Sequence, residues 1–315
     1  MHLKSKFART LVASALAAGV VAAPAAAAQH TQARPAGAGV TYSFETLDNA
    51  ADPTFNQLLG INDHGLVAGY FGSGQPGHPN KGYLIGSPYG QASYVGENFP
   101  GSAQTQVTGL NNRGLTVGFW ADSAGNNFPF YRANGVYHTV VFPASDYGSP
   151  LVSQFLGVND HGIAVGFYTD ANGNNHGFVY DIRRDRFQEV FVPGFMNITT
   201  TAINDSGYVA GFGNDMSGKV DSFLWHDGHV TTLSVPGAAT TQALGVNNRD
   251  EVVGDYIDAQ QQTHGFTWSR QRGFQTVDDP HGVGGTTING VNDHGDLVGF
   301  YVDPAGNTDG LLAMP

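Results

Sequence analysis

The sequence has no cysteine, little charge and a shortage of basic residues. Without cysteine there are no disulfides and no thiolate nucleophile or metal ligand. Only 13% of the 315 residues are charged, and 26 acidic side chains outnumber 14 basic ones, which gives a formal charge of −12. Nucleic acids and anionic lipid surfaces both need a basic partner surface. We therefore expect neither as a partner.

The first 28 residues have the pattern of a signal peptide. Lys4, Lys6 and Arg9 precede an apolar run, LVASALAAGVV, which is too short for a comfortable membrane span. Three alanines at 26–28 form a small-residue cleavage site. An N-terminal membrane anchor is the alternative.

Cleavage near Ala28 predicts an extracellular or periplasmic protein. Residues 29–39 would then form a flexible leader, and residues 40–315 a single domain without a membrane span. The removed segment has three positive charges and no acidic residue, so the mature chain would have a formal charge of −15. We expect a monomer.

In contrast to these shortages, glycine is abundant, with 44 residues, and one segment recurs six times. The copies read GINDHGLVAGYF, GLNNRGLTVGFW, GVNDHGIAVGFY, AINDSGYVAGFG, GVNNRDEVVGDY and GVNDHGDLVGFY. The asparagine that all six share lies at positions 62, 111, 159, 204, 247 and 292. Their separations of 43 to 49 residues are typical of a propeller blade.

Each copy divides into four short strands, and none shows a sustained helical period. The pattern therefore predicts an all-β, six-bladed β-propeller of four-stranded blades, with an open solenoid as the alternative. The sixth copy stops at Pro315, one strand short, while a spare strand precedes the first copy at 41–47. We expect this N-terminal strand to close the last blade and remove two open edges.

The repeated cores, together with His176-Gly177-Phe178 and His264-Gly265-Phe266, resemble the bacterial extracellular repeat family called HAF. The family is named after a His-Ala-Phe signature, in which this chain has glycine in place of alanine. The resemblance covers roughly residues 40–315. It implies export and a β-repeat fold, and it brings no catalytic residues.

The recurrent N-[DN]-x-G turn is interpreted as part of the scaffold. Asn and Asp hydrogen-bond the backbone two residues on, and glycine accepts a positive φ. His64, His161 and His294 occupy the variable position of three different copies, too far apart to share a metal. We therefore expect them at the surface.

One loop has the alternating oxygen ligands of a calcium site. Asp170, Asn172 and Asn174 are spaced two residues apart, and Asp181 stands where a twelfth ligand would be. The glycine of an EF-hand loop is replaced by Asn175, and no helix flanks the loop. Calcium is the only cofactor considered, and a plain turn is the alternative.

A set of polar residues precedes each shared asparagine by five positions. The first strand of a blade lines the central channel. We predict that these side chains form a ligand-binding ring at the channel mouth, with water filling the channel as the alternative. The six are Gln57, Gln106, Gln154, Thr199, Gln242 and Thr287.

The chain has no nucleophile elbow, HExxH, P-loop or dinucleotide fingerprint. We favour an exported, non-catalytic binding or interaction propeller whose ligand is a glycan, polymer or protein. The alternative is an extracellular hydrolase or lyase that acts on carbohydrate or polymer at the channel mouth. Its candidate residues lie in the irregular loops 143–150, 278–281 and 72–81.

Overall fold

A computed structural model of the chain describes residues 40–315. These residues form 24 strands in six four-stranded antiparallel sheets. The one helical segment among them is a three-residue 3₁₀ turn, Gln91–Ser93. The sheets follow one another around a ring, so the prediction of a six-bladed propeller is confirmed. The predicted signal peptide and leader lie outside the described residues.

Five blades take four consecutive strands each, in chain order from the channel outward. Blade 1 contains β2 (Asn56–Ile61), β3 (Val67–Phe71), β4 (Lys81–Ile85) and β5 (Tyr94–Gly96), and blade 2 contains β6 (Gln104–Leu110), β7 (Thr116–Ala121), β8 (Asn127–Ala133) and β9 (Val136–Thr139). Blade 3 contains β10 (Ser153–Val158), β11 (Ile163–Thr169), β12 (Asn175–Asp181) and β13 (Arg186–Glu189), and blade 4 contains β14 (Phe195–Ile203), β15 (Val209–Asp215), β16 (Val220–His226) and β17 (His229–Leu233). Blade 5 contains β18 (Thr240–Val246), β19 (Val252–Ile257), β20 (Thr263–Ser269) and β21 (Gly273–Val277).

Blade 6 is completed by the N-terminal strand. Its first three strands are β22 (Thr286–Val291), β23 (Leu297–Val302) and β24 (Thr308–Met314), and its outer strand is β1 (Ser43–Thr46). β1 pairs antiparallel with β24, with Ser43 opposite Met314 and Thr46 opposite Leu311. The predicted closure is therefore confirmed, although β1 is shorter than the segment 41–47 that the sequence suggested.

The shared asparagines join each blade to the next. Asn159 is typical: its Oδ1 accepts the backbone N–H of Ile163 at 3.0 Å, and its Nδ2 donates to the carbonyl oxygen of Asn204 in blade 4 at 3.0 Å. The amide–carbonyl bond recurs at all six junctions and closes where Asn292 donates to the carbonyl of Asn62. We call these six residues the asparagine ring.

The residue after each shared asparagine forms a second ring. Its backbone N–H donates to the Oδ1 of the equivalent residue in the next blade, at 2.8 Å in every case. Aspartate and asparagine both offer a side-chain acceptor oxygen at this short reach. The members are Asp63, Asn112, Asp160, Asp205, Asn248 and Asp293. The recurrent N-[DN] pair thus has a structural role between blades as well as in its own turn.

The glycines of the repeat are required by close backbone approach. A Cβ on Gly166, in the V-G-F segment of blade 3, would stand 1.9 Å from the carbonyl oxygen of Gln154 on the neighbouring strand. A Cβ on Gly157 would stand 2.8 Å from the carbonyl oxygen of Thr201 in blade 4. Side chains at these positions would push strands or blades apart.

Aromatic and branched side chains fill the space between blades. Phe155, Phe178 and Tyr180 of blade 3 pack with Val117 of blade 2, and all four are buried. Similar apolar clusters recur between other blades. Within residues 40–315 there is no helix of the length and hydrophobicity needed to span a membrane.

Deleting residues 40–48 removes β1 and the buried Leu47, and leaves the edge of β24 unpaired. Loss of one buried leucine costs about 2–5 kcal/mol, which corresponds to a fall in Tm of roughly 5–15 °C for a domain of this size. Thermal unfolding with light scattering should show this fall together with aggregation. Deletion of residues 30–38 is the control and should leave Tm unchanged. Equal Tm values for the two deletions would contradict the closure.

Candidate functional site

One pocket of the described residues lies beside the copy of the recurrent turn that lacks glycine. This pocket of about 310 Å³ lies between blades 5 and 6, at the end of the ring that bears the recurrent turns. Its polar lining comes from Tyr42, Arg249, Glu251, Arg272 and His294. Its apolar lining includes Val40, Val253, Leu297 and Pro315. We call it the blade 5–6 pocket.

An irregular turn in blade 5 supplies two of the polar residues. Asp250 replaces the usual glycine and adopts a positive φ of 58°. Arg249 and Glu251 on either side both donate their backbone N–H to Oδ1 of Asn247, so the asparagine ring holds them in place. Arg272 comes from the turn between β20 and β21. The signal for this site was in the sequence, as the only copy of the turn without glycine.

Glu251 lies at the centre of a charged network. It accepts hydrogen bonds from Arg249 Nη2 at 2.8 Å, from Asn247 Nδ2 at 2.9 Å and from Arg272. Burial raises the pKa of Glu251, but the hydrogen bonds from Asn247 and Arg249 and the two guanidinium charges outweigh it, so its pKa is lowered. Glu251 is therefore ionised at neutral pH.

The pocket offers donors, acceptors and an apolar wall together. Both guanidiniums are about half exposed, and each uses one nitrogen on Glu251. A guanidinium has five N–H donors, so further donors face the pocket or solvent. Tyr42 is half-buried beside the network, and its pKa is raised by burial and by the charge of Glu251. The arrangement can hold a small polar ligand in a fixed orientation.

The channel is lined by residues that sequence reasoning missed. In every blade a β-bulge shifts the register of the first strand two to four positions before the shared asparagine, as between Phe155 and Gly157. The bulged side chain lines the axial cavity of about 80 Å³. These residues are Leu59, Thr108, Leu156, Thr201, Leu244 and Asn289. A cavity of about 90 Å³ at the end with the turns is lined by both hydrogen-bonded rings.

The residues predicted to form the ligand-binding ring lie five positions before the asparagine, beyond the bulge. Gln57, Gln106, Gln154, Thr199 and Thr287 are at most 4% exposed, whereas Gln242 is partly exposed. Gln106 Nε2 donates to Asn80 Oδ1 and Gln154 Nε2 to Asn127 Oδ1, both at 3.0 Å. Each of these bonds ties a blade to the preceding one. The ligand-binding role of the six residues stays a prediction.

The four residues considered for calcium do not come together. Asp170 Oδ1 accepts the backbone N–H groups of Asn172 and Asn174, both at 2.8 Å, which makes it part of its own turn. Asp181 lies at the other end of β12, where it pairs with Arg184 at 2.6 Å. Seven strand residues place the two carboxylates roughly 20 Å apart. In this structure they cannot share one ion, because the linear spacing is interrupted by a strand.

The three irregular loops place their side chains in separate regions. Tyr147 packs on Tyr168 in blade 3, and His78 bonds Asp52 at 2.6 Å beside blade 1. Asp279 bonds His281 at 3.0 Å between blades 5 and 6. Within residues 40–315, no three histidine, aspartate or glutamate side chains stand ready to hold one metal ion.

Asp255 is a buried carboxyl group that the sequence analysis did not single out. It is 5% exposed and occupies the position that is Tyr70, Phe119, Phe167, Phe212 or Phe300 in the other blades. Its Oδ1 has no hydrogen-bond partner in the described part of the chain. Burial raises its pKa to about 7. The sequence signal was V-G-D-Y, where the other five copies have an aromatic residue directly after the glycine.

Comparison with known proteins supports the fold and leaves the function open. No protein-family model matches the chain, and no curated protein matches it. AofleA from Arthrobotrys oligospora has a similar structure, with a TM-score of 0.53 at 11% identity over 86% of each chain. A point mutant of Aleuria aurantia lectin, solved with alpha-methyl-L-fucoside, has a TM-score of 0.52 at 10% identity over 81% of this chain and 90% of its own.

A Trypanosoma rangeli sialidase also shares the fold, with a TM-score of 0.51 at 9% identity. The match covers 87% of this chain and 59% of the sialidase. At such identities the likeness shows a common propeller architecture alone. The choice between binding and catalysis therefore depends on the residues of this chain.

Asp255 makes stability depend on pH. Its folded pKa of about 7 exceeds the usual 3.8, so the fold favours the neutral acid. Stability is lost as pH rises from the unfolded pKa to the folded pKa, by about 4 kcal/mol in total. Asp255→Asn keeps the shape without the charge. Urea unfolding should show equal stability near pH 4 and a more stable variant at pH 8. Parallel pH profiles of the two proteins would refute this assignment.

Proposed function

We propose that this protein is a non-catalytic binding propeller that recognises a carbohydrate in the blade 5–6 pocket. The observation on which this proposal rests is the network of Arg249, Glu251 and Arg272 beside an apolar wall. Neighbouring hydroxyl groups of a sugar both donate and accept hydrogen bonds, while guanidinium only donates and carboxylate only accepts. The network offers both kinds of partner side by side.

The apolar part of the pocket suits the remaining surface of a sugar. Val253, Leu297 and Pro315 offer contact to C–H groups, and the half-buried ring of Tyr42 offers a flat face with a polar tip. A volume of about 310 Å³ is near the lower limit for ligand pockets. The pocket therefore fits one sugar unit, such as the end of a glycan chain, better than a long polymer.

Two further points support a binding role. The solved structures that share this fold include a lectin in complex with a fucoside, which makes a sugar a reasonable first class of ligand to test. The signal-peptide pattern, with its basic start and alanines at 26–28, favours export to a place where glycans are exposed. We include export and membership of the HAF repeat family in the proposal.

Screening the purified protein on a glycan array, followed by calorimetry with the sugars that bind, tests the proposal. Arg272→Gln and Glu251→Gln should each weaken binding about 10- to 100-fold, the usual loss for a hydrogen bond to a charged group. Arg270→Gln is the matched control, since Arg270 is exposed two residues away and does not line the pocket. Its affinity should equal that of the unaltered protein.

The outcomes separate the alternatives. Sugars that bind equally well to all three variants would move the site elsewhere and refute the pocket assignment. An array without any binding would refute carbohydrate recognition. Release of reducing ends or unsaturated products from a bound glycan would show a hydrolase or lyase and overturn the non-catalytic role. Unfolding temperatures of the variants confirm that each remains folded.

A further inference from the structure

The blade 5–6 pocket carries positive charge in a protein that is acidic as a whole. The sequence has 26 acidic and 14 basic side chains. The lining of the pocket contains two guanidiniums, from Arg249 and Arg272. Among residues 40–315, Glu251 is the one acidic group within ion-pair distance of either guanidinium. The charges of these three side chains add up to one positive charge.

The other acidic residues of the two adjoining turns face away from this network. Asp250 Oδ1 accepts a hydrogen bond from Asn204 Nδ2 at 2.9 Å, so this carboxylate lies toward blade 4. Asp296 Oδ2 accepts one at 2.8 Å from Asn292 Nδ2, an amide that also donates to blade 1. Asp293 belongs to the second hydrogen-bonded ring. None of the three forms an ion pair with a guanidinium of the pocket, so the positive charge is not cancelled from these turns.

The acceptor capacity of Glu251 is largely occupied, whereas the guanidiniums keep donors to spare. Glu251 Oε1 accepts from Arg272, and its Oε2 accepts from Arg249 and Asn247. Both guanidiniums bond it through Nη2, and their Nε and Nη1 make no hydrogen bond within residues 40–315. A guanidinium has five N–H donors. Glu251 thus orients both groups, while their remaining donors stay free for a ligand.

Both guanidiniums approach the pocket from blade 5, and a glycine in blade 6 gives one of them room. A Cβ on Gly295 would stand 3.3 Å from Arg249 Nη2 and 3.7 Å from Pro315 Cγ. Arg249 therefore reaches across the junction to the turn of blade 6. Arg272 comes from the turn that precedes β21 and meets the same carboxylate. Because both groups are held by Glu251, their guanidiniums lie side by side along the pocket.

A neutral sugar satisfies the hydrogen bonds of this pocket but not its charge. The hydroxyl groups of a sugar accept from guanidinium donors without supplying a counter-charge. Displacing water from a charged group is costly unless an opposite charge replaces it. A carboxylate supplies that charge, and its two coplanar oxygens match the planar donor fork of an arginine. Hydrogen bonds between such charged partners are roughly twice as strong as neutral ones.

We propose that the blade 5–6 pocket selects an acidic sugar, whose carboxylate is bound by the free donors of Arg249 and Arg272. This inference rests on the carbohydrate site proposed above and names the class of sugar. One negative charge matches the single excess positive charge of the network. The volume of about 310 Å³ accommodates one sugar unit, so the ligand is a uronic acid at the end of a glycan chain. Tyr42 and the apolar wall remain available for the rest of the sugar ring.

Calorimetry with matched pairs of sugars tests the inference. The methyl glycosides of glucose and glucuronic acid differ only in the group at C6, and so do those of galactose and galacturonic acid. At pH 7.5 and low salt, the acid of at least one pair should bind about 10- to 100-fold more tightly than its neutral partner, the usual gain from a hydrogen bond between charged groups. NaCl at about 0.5 M should weaken binding of the acid by screening and leave binding of the neutral sugar unchanged.

Three variants separate charge from positioning through the ratio of the acid affinity to the neutral affinity. Arg249→Gln removes one guanidinium and should lower this ratio about 10-fold. Glu251→Gln should weaken binding of both sugars, because the guanidiniums lose their anchor, but should keep or raise the ratio, because a competing negative charge is removed. Arg270→Gln is the control and should change neither affinity, since Arg270 is exposed and does not line the pocket. Unfolding temperatures show that each variant is folded.

The outcomes distinguish this inference from the proposed function. Equal affinity within each pair, or binding on the glycan array confined to neutral sugars, would overturn the acidic preference and leave carbohydrate binding in place. A preference that persists undiminished in Arg249→Gln would place the carboxylate elsewhere and refute the assignment. Tighter binding of a sulfated sugar than of the uronic acid would overturn the choice of a carboxylate. If neither the array nor either pair shows binding, the carbohydrate site and this inference fail together.

Discussion

The asparagine ring is the interaction on which the rest of the structure depends. Each asparagine side chain satisfies the backbone of its own turn through Oδ1 and the carbonyl of the next blade through Nδ2, as Asn159 does with Ile163 and Asn204. A buried donor left without a partner costs about 1–3 kcal/mol, and a closed ring has six such donors. Residues next to the shared asparagines can therefore differ between copies, whereas the asparagines themselves cannot. This explains why the asparagine is common to all six copies.

This constraint also decides where functional variation can occur. Side chains beside the ring are positioned by it without being part of it. In blade 5, Arg249 and Glu251 hydrogen-bond Asn247 through their backbone, so their side chains are free to form the charged network of the blade 5–6 pocket. The substitution of glycine by Asp250 is tolerated because aspartate adopts a positive φ more readily than most residues. The asparagine ring therefore both holds the blades together and fixes the backbone from which the pocket side chains extend.

The sequence predicted the fold well because the repeat reveals both the number of blades and the missing strand. It predicted the candidate sites poorly, for two physical reasons. The β-bulge between residues such as Phe155 and Gly157 shifts the pleat, so the side chain that enters the channel is Leu156 rather than Gln154. The spacing of Asp170 and Asp181 also fits a metal-binding loop only if the residues between them form a loop, and here most of them form strand β12. Neither the bulge nor the contact of Arg272 with Glu251 leaves a pattern in a single sequence.

The same repeat shows which departures need a physical explanation. Equivalent positions have similar backbone surroundings, so the effect of an exchange there can be assigned to the side chain itself. His264 and His176 each contact two carboxylates, whereas Asp309 occupies the equivalent position in blade 6. Asp255 likewise brings an unpaired carboxyl group to a place where four other blades have phenylalanine. A single substitution at each position, to the residue found in other blades, would remove each of these two carboxyl groups. Asp255 in blade 5 and Asp309 in blade 6 are both buried, so each departure puts a carboxyl group where burial opposes its ionisation.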